Sequence, residues 1–248
     1  MGKHWKPSKV NILDPTWKGI FVTCNRGREA QCAREIREWF EQAAETLYSE
    51  IPDADLKPHS KPKEEVEASV EDDIASAIAN EVEQLKSSKK LIVVHDKLGV
   101  ECVLFVQTRY PLDPVKLALY VTEECMRKER HAKYVQKLSP VQKFVKFDDD
   151  ESTGNMEKLA PTISTLTPEC SFAIRPSLRL CKQTRDDVIP QIAKLVGPTH
   201  KVDLKNYDEL VVIEGFKSLL GASVINLNAE EMKKRCQLNL CQIAALSI

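Results

Sequence analysis

Three cations, Arg179, Lys182 and Arg185, stand on a loop between an alternating run, Ser171-Phe172-Ala173-Ile174-Arg175, and an amphipathic stretch from Asp186 to Val196. Guanidinium and ammonium groups on a loop between a strand and a helix suit phosphate contact, and they bring no nucleophile or general base with them. Lys201 follows that stretch, and Lys133, Lys137, Lys143 and Lys146 lie in a basic run upstream. These eight are the candidate contacts to a polyanion. Aromatic residues make up only 6% of the chain, which disfavours extended base stacking on single strands. The chemistry expected of the loop is therefore phosphate and sugar contact with a folded nucleic acid, read largely by shape.

Other residues invite catalytic readings, and each has a structural alternative that we favour. Cys24-Asn25-Arg26-Gly27-Arg28 could hold a thiolate beside arginines, but a cysteine ending an apolar strand is expected in a core. The acid pairs Asp72-Asp73 and Asp186-Asp187 open predicted helices, where the N-terminal dipole favours them. His95 and His200 flank strands and read as structural. The eight glycines form neither GxGxxG nor a phosphate-binding P-loop, and no His-x-Glu precedes a Cys-x-x-Cys. The DPPY or NPPY tetrapeptide of amino-methyltransferases is missing too. The eight cysteines contain no CxxC and no zinc-site spacing with histidine, so they read as reduced thiols of a cytosolic or nuclear protein, with no metal site and no bound cofactor expected.

The elements that must position the basic loop follow from periodicity. A strand is predicted over Gly19–Cys24, then a helix to about Tyr48 with the stripe Cys32, Ile36, Trp39, Phe40, Ala43 and Leu47. Residues 52–72 read as a flexible, proline-bearing acidic insertion, followed by a helix near 72–85. Strands at Leu91–His95 and Cys102–Gln107 and a helix from Pro114 to about Glu129 complete the order of a ferredoxin-like α/β sandwich. Further on, a helical stripe runs from Met156 to Leu166, strands are predicted at Leu210–Ile213 and Ala222–Ile225, and one helical run spans Ala229–Ile243.

Charge is segregated along this plan. The net charge is −1, yet Arg127–Lys146 carries seven Lys or Arg against one Glu, a local net of +6. Lys63–Glu83 carries one Lys against eight acids, a net of −7, and 148–151 are four consecutive acids. Such blocks suggest a solvated linker beside a face that meets a polyanion. No stretch approaches the ~20 apolar residues of a membrane helix, and the polar, basic opening lacks the apolar core of a signal peptide.

Several motifs together carry a resemblance. Gly19-Ile20-Phe21-Val22-Thr23-Cys24 with Gly27-Arg28-Glu29, Arg185-Asp186-Asp187-Val188-Ile189, Val202-Asp203-Leu204-Lys205-Asn206, Leu210–Glu214, Gly221–Val224 and Cys236-Gln237-Leu238-Asn239-Leu240 resemble the THUMP-domain adaptor family of tRNA cytidine acetylation. The resemblance covers nearly the whole chain. It implies an α+β architecture, with a basic arm over 1–16, a ferredoxin-like domain over 17–130 and a THUMP domain over 131–248. It implies a tRNA-binding adaptor that is not itself an enzyme. Its partner would be a tRNA/rRNA cytidine acetyltransferase forming 4-acetylcytidine in the D arm of serine and leucine tRNAs. Acetyl-CoA and ATP would belong to that partner, and the setting would be the nucleus or nucleolus, or the cytoplasm. Pro176 departs from the family pattern, and proline lacks a ladder donor, so the strand is expected to end by Arg175. The long first helix, with Arg28, Arg34 and Arg37, is a place for the partner enzyme or a second stretch of tRNA. Two other readings stay open: an RNA-modifying enzyme with an unfamiliar active site, and a scaffold whose basic face meets an acidic protein.

Overall fold

A computed structural model describes residues 13–49, 90–147 and 156–246. The basic arm up to residue 12, the expected insertion and helix between 52 and 85, and the acidic loop 148–155 lie outside the described residues.

The first unit runs β1 (Lys18–Cys24), α1 (Glu29–Tyr48), β2 (Ile92–His95), β3 (Val103–Thr108), α2 (Pro114–Met126) and β4 (Val135–Val141). Its antiparallel sheet has the order β2-β3-β1-β4, the ferredoxin-like arrangement. One sheet face meets both helices: Ile20, Val22, Leu104 and Val106 pack with Ile36 and Phe40 of α1 and Leu117 and Val121 of α2. Asp113 caps α2 by accepting the N–H groups of Val115 and Lys116, with Pro114 in the first turn, where proline's missing donor costs nothing. Leu47, expected on the buried stripe of α1, is 39% exposed, while its neighbour Tyr48 packs against the core; Ala33 and Ala44 join the buried stripe.

The expected boundary at residue 130 is corrected by β4. This strand pairs with β1 from Gly19↔Val141 to Cys24↔Val135, so residues assigned to the second domain close the first sheet. The chain then passes through Gln142 into β5 (Lys143–Lys146), the edge of the second sheet.

The second unit continues with a 3₁₀ turn at Glu157–Leu159, α3 (Ala160–Ile163), β6 (Ser171–Arg179), α4 (Arg185–Val196), β7 (Lys201–Val202), β8 (Glu209–Phe216) and β9 (Leu219–Ile225). Its order is β5-β9-β8-β6-β7. β6 pairs parallel with β8, which demands a crossover, and α4 supplies it. The strand does not end at Arg175: Pro176 sits opposite Ile213 and pairing continues to Arg179↔Phe216. The reason is an open edge. β7 reaches only Ser171 and Phe172, and proline is tolerated on an edge, where its missing donor faces no ladder.

The expected single C-terminal helix is also broken. It divides into α5 (Ala229–Lys234), a turn at Cys236–Leu238 and α6 (Leu240–Leu246). Cys236, Gln237 and Leu238 take φ of 48°, 56° and 62°, a left-handed run that no α-helix admits. The break lets α6 fold back against β4 and α2 of the first unit.

An aromatic layer joins the two sheets. Phe21 meets Phe105 at 5.0 Å, Phe216 at 5.6 Å and Phe144 at 6.0 Å between ring centroids. Gly221 permits this closeness, because a Cβ there would come within 2.7 Å of the Phe144 ring and 2.5 Å of Val141 Cγ1.

Candidate nucleic-acid interface

The row Arg179↔Phe216↔Leu219↔Lys146 crosses four neighbouring strands of the second sheet. At the usual strand spacing it spans about 14 Å. Lys182 stands on the loop leaving this end and Arg185 is the first residue of α4; both are exposed. The β8–β9 turn adds an exposed residue that sequence reasoning missed, Lys217, whose N–H donates to the Arg179 carbonyl at 3.1 Å. A lysine in the short break between two strongly apolar strands was its available signal. One end of the sheet thus gathers Lys146, Lys182, Arg185 and Lys217.

The loop holds its shape through the start of α4. Thr184 and Asp187 form a reciprocal capping box, and the Thr184 hydroxyl and N–H hold the Asp187 carboxyl below its ordinary range. The acid pair Asp186-Asp187 is therefore a helix start.

Lys143 and Lys146 are both exposed on the edge strand β5. They line an open groove of about 750 Å³ with Phe144, Thr16, Thr162 and Lys158, a cation on the 3₁₀ turn that the sequence did not single out. Lys201 is not part of this gathering. It pairs with Ser171 at the opposite end of β6, about 26 Å from Arg179 at the usual rise per residue. Lys133 belongs to the approach to β4, its N–H donating to Glu35 Oε1 at 2.9 Å and its ammonium 5.4 Å from the Tyr134 ring centre. Arg179 and Lys137 turn away from open solvent. The Arg179 guanidinium pairs with Glu214, whose side chain is 2% exposed, and lies 5.9 Å over the Phe21 ring. Lys137 is half-buried in β4, and burial draws its ammonium below the usual lysine range. Arg28, Arg34 and Arg37 are exposed on or beside α1.

Among the described residues, Cys24, His95 and His200, each weighed as catalytic, make contacts of a structural kind. Burial pushes the Cys24 thiol up to about 11 and the Cys125 thiol up to about 12, and raises that of Cys32, so these sulfurs stay protonated. Arg26, the neighbour that would have activated Cys24, pairs with Glu101 at 3.1 Å on the surface. His95 stacks on Trp17 at 4.6 Å and holds Gln107 at 3.3 Å. His200 Nδ1 is 3.1 Å from the Thr199 hydroxyl. Among the described residues no three His, Cys, Asp or Glu side chains gather as metal ligands, and no helix is long and apolar enough to cross a membrane.

No protein-family profile matches the sequence. The uncharacterized protein C25H2.10c of Schizosaccharomyces pombe is 32% identical over 230 residues, covering 90% of this chain and 75% of that protein. The tRNA acetyltransferase TAN1 of Saccharomyces cerevisiae is 29% identical over 249 residues, covering 90% of this chain and 84% of its own. The chain belongs to the THUMP-domain tRNA acetyltransferase adaptor family. An alignment over 90% of the chain cannot be confined to one sheet, so the family relationship takes in both units. Among solved structures, TrmN from Thermus thermophilus aligns over 86% of this chain and 47% of its own, at 12% identity and a TM-score of 0.43. Within this family member, Asp187 caps a helix, Arg26 pairs with Glu101, and Cys24, Cys32 and Cys125 are buried. One end of the second sheet presents exposed positive charge at Lys146, Lys182, Arg185 and Lys217.

Proposed function

We propose that the chain is a tRNA-binding adaptor. It presents serine and leucine tRNAs to a separate cytidine acetyltransferase, which forms 4-acetylcytidine in the D arm and carries the acetyl-CoA and ATP. One observation carries the reading: Lys146 on edge strand β5, Lys182 on a loop, Arg185 at the start of α4 and Lys217 in the β8–β9 turn share one end of the second sheet, held by a packed scaffold. Rigid loops with cations at fixed separations suit the phosphates of a folded RNA, and binding driven by them is steeply salt-dependent. Lys143 extends the face along β5, and Lys133 and Lys201 are outlying contacts. The adaptor supplies proximity, which converts the meeting of two macromolecules into an oriented encounter.

A second reading draws on the relative TAN1, which is named a tRNA acetyltransferase. Reconstitution decides between the two. With tRNA, acetyl-CoA and ATP, the chain alone should form no acetylcytidine, and it should raise the yield of a partner acetyltransferase. Product from the chain alone makes it the enzyme; equal partner activity without it ends the adaptor reading.

A further inference from the structure

A second concentration of positive charge runs inward from the exposed sheet end, starting at Arg179, into the seam between the two sheets. Arg175 and Arg179 are four residues apart on β6 and share one of its faces. Glu214 of β8 pairs in register with Ser177, the residue midway between them, and its carboxylate is taken by Arg179. The facing strand is β4. Its Ser139 hydroxyl also bonds Glu214, and Lys137, two residues before it, points the same way.

Three cations therefore share one carboxylate, a net of +2 in a half-buried space. Arg179 has Glu214. Among the described residues the hydrogen-bond partner of Arg175 is neutral: it donates to the Gln237 side-chain carbonyl, with Tyr207 and the Glu214 charge nearby. Among the described residues no hydrogen bond or ion pair engages the Lys137 ammonium, and it feels Arg175 and Arg179 as like charges, offset only in part by the shared Glu214 carboxylate. Buried charge is normally paired, because desolvation is otherwise uncompensated. The Gln237 contact is itself held under strain. The three residues Cys236–Leu238 all take positive φ, a conformation costly for side chains other than glycine, and Lys137 bridges Asn239 at the end of that turn. Strain maintained beside an uncompensated charge cluster is a mark of a ligand site. A phosphate dianion would neutralise the net +2 of the cluster and offer strong acceptors to guanidinium and ammonium alike.

We infer that this seam is a seat for a single phosphate group, held by Lys137, Arg175 and Arg179, with Gln237 orienting Arg175. A phosphate there would tie β4 of the first unit to β6 of the second. Its source is either an RNA backbone or free phosphate; only the first rests on the tRNA-binding reading.

The test uses the full chain and inorganic phosphate. Thermal unfolding is followed as phosphate replaces chloride at constant ionic strength and pH. The wild type should show a saturable rise in melting temperature; at tenfold the dissociation constant, the folded-to-unfolded ratio grows about elevenfold. Lys137→Met and Arg175→Met should lose the saturable step, and Lys194→Met, an exposed change on α4, should keep it. In chloride alone, Lys137→Met should be no less stable than wild type, since it removes an unpaired desolvated cation. A non-saturating rise equal in wild type and Lys137→Met would be a general salt effect and would overturn the seat. A second arm measures tRNA binding against salt. If RNA fills the seat, phosphate competes and Lys137→Met lowers the log–log slope by roughly 0.7–0.9. An unchanged slope with the phosphate step intact assigns the seat to free phosphate. Failure of the wild type to bind tRNA ends the adaptor reading and leaves the seat to be judged by the phosphate arm.

Discussion

Glu35 sits in the second turn of α1 and reaches about 100 residues ahead in the sequence. Its two carboxylate oxygens accept the N–H groups of Lys133, Tyr134 and Val135 at 2.9, 2.9 and 3.0 Å, fixing the chain as it enters β4. Glu35→Ala removes all three. A hydrogen bond to a charged acceptor contributes about 1.5–3 kcal/mol, so full loss without compensation would approach ~5–9 kcal/mol. Two terms reduce this. Lys133 is exposed and Tyr134 half-exposed, so water can take over their donors, and alanine is the better helix former by a few tenths of a kcal/mol. Val135 is buried and keeps its full penalty. The expected cost is about 3 kcal/mol, or a melting temperature lower by about 6–12 °C for a chain of this size. Glu35→Gln retains one acceptor oxygen and should cost about half as much. Urea unfolding followed by far-ultraviolet circular dichroism, with an unchanged slope against urea, gives the comparison. Glu38→Ala on the same helix loses one long bond, to Gln42 at 3.5 Å, and should cost under about 0.5 kcal/mol. If Glu35→Ala proves no more costly than Glu38→Ala, the carboxylate does not anchor β4 and the reasoning fails.

Three further outcomes are expected. The Lys182→Ala, Arg185→Ala pair should weaken tRNA binding and flatten its salt dependence by roughly 0.7–0.9 for each phosphate no longer neutralised, measured by filter binding at several salts; unaltered binding would remove both residues from the face. Arg179→Met strands the buried carboxylate of Glu214 and should cost about 3–5 kcal/mol, most of it recovered by adding Glu214→Leu; purely additive losses in that double-mutant cycle would mean the pair is uncoupled. The carboxyls of Glu29, Asp187, Asp203 and Asp208 are each held below their ordinary range, foremost by the Cys102 N–H, the Thr184 hydroxyl, the Asn206 N–H and the Ser171 hydroxyl respectively. A carboxyl with a depressed folded pKa stabilises above its unfolded value, 3.8 for aspartate, and that stability is lost as pH falls through the folded value. Unfolding midpoints should therefore decline below about pH 4, and less steeply in Asp187→Asn.

The first unit was legible because its strands and helices are amphipathic at their own periods. Cys32, Ile36, Phe40 and Ala43 repeat at helical spacing, and the order of elements then leaves few topologies. Elements whose identity depends on a distant partner were not legible. Lys133–Lys146 reads as a basic run, since its alternation is interrupted by Pro140 and Gln142; only pairing with β1 and β9 makes it two strands in two sheets. The Pro176 expectation failed for the same reason: whether a strand tolerates proline depends on which side is an edge, and β7 decides that from some 25 residues downstream. Among the site residues, exposure of Lys146, Lys182 and Arg185 followed from local pattern. The inward turn of Arg179 did not, because it answers to Glu214, which in sequence is one acid at the end of an apolar run.

The same long-range pairings bear on what an adaptor must be. Cations presented on loops select a folded RNA only if their separations are fixed, and flexible loops would bind any polyanion. Here the loops are fixed from three directions. The Phe21, Phe105, Phe144 and Phe216 rings interlock across the sheets, with centroids 5.0–6.0 Å apart. The chain crosses from one sheet to the other through the single residue Gln142, whose side chain donates to Asp113 and accepts from Val224. The Ser223 hydroxyl ties β9 to the Pro140 carbonyl at 2.7 Å. Each aromatic pair contributes about 0.5–1.5 kcal/mol beyond its burial, so loosening the layer should act on recognition before it unfolds the chain. Phe216→Leu adjoins Lys217 and the Arg179 row, and it should widen acceptance of non-cognate RNA at matched salt while total affinity changes little. Unchanged discrimination in that variant would show that the spacing of the cations does not depend on the contact between the sheets.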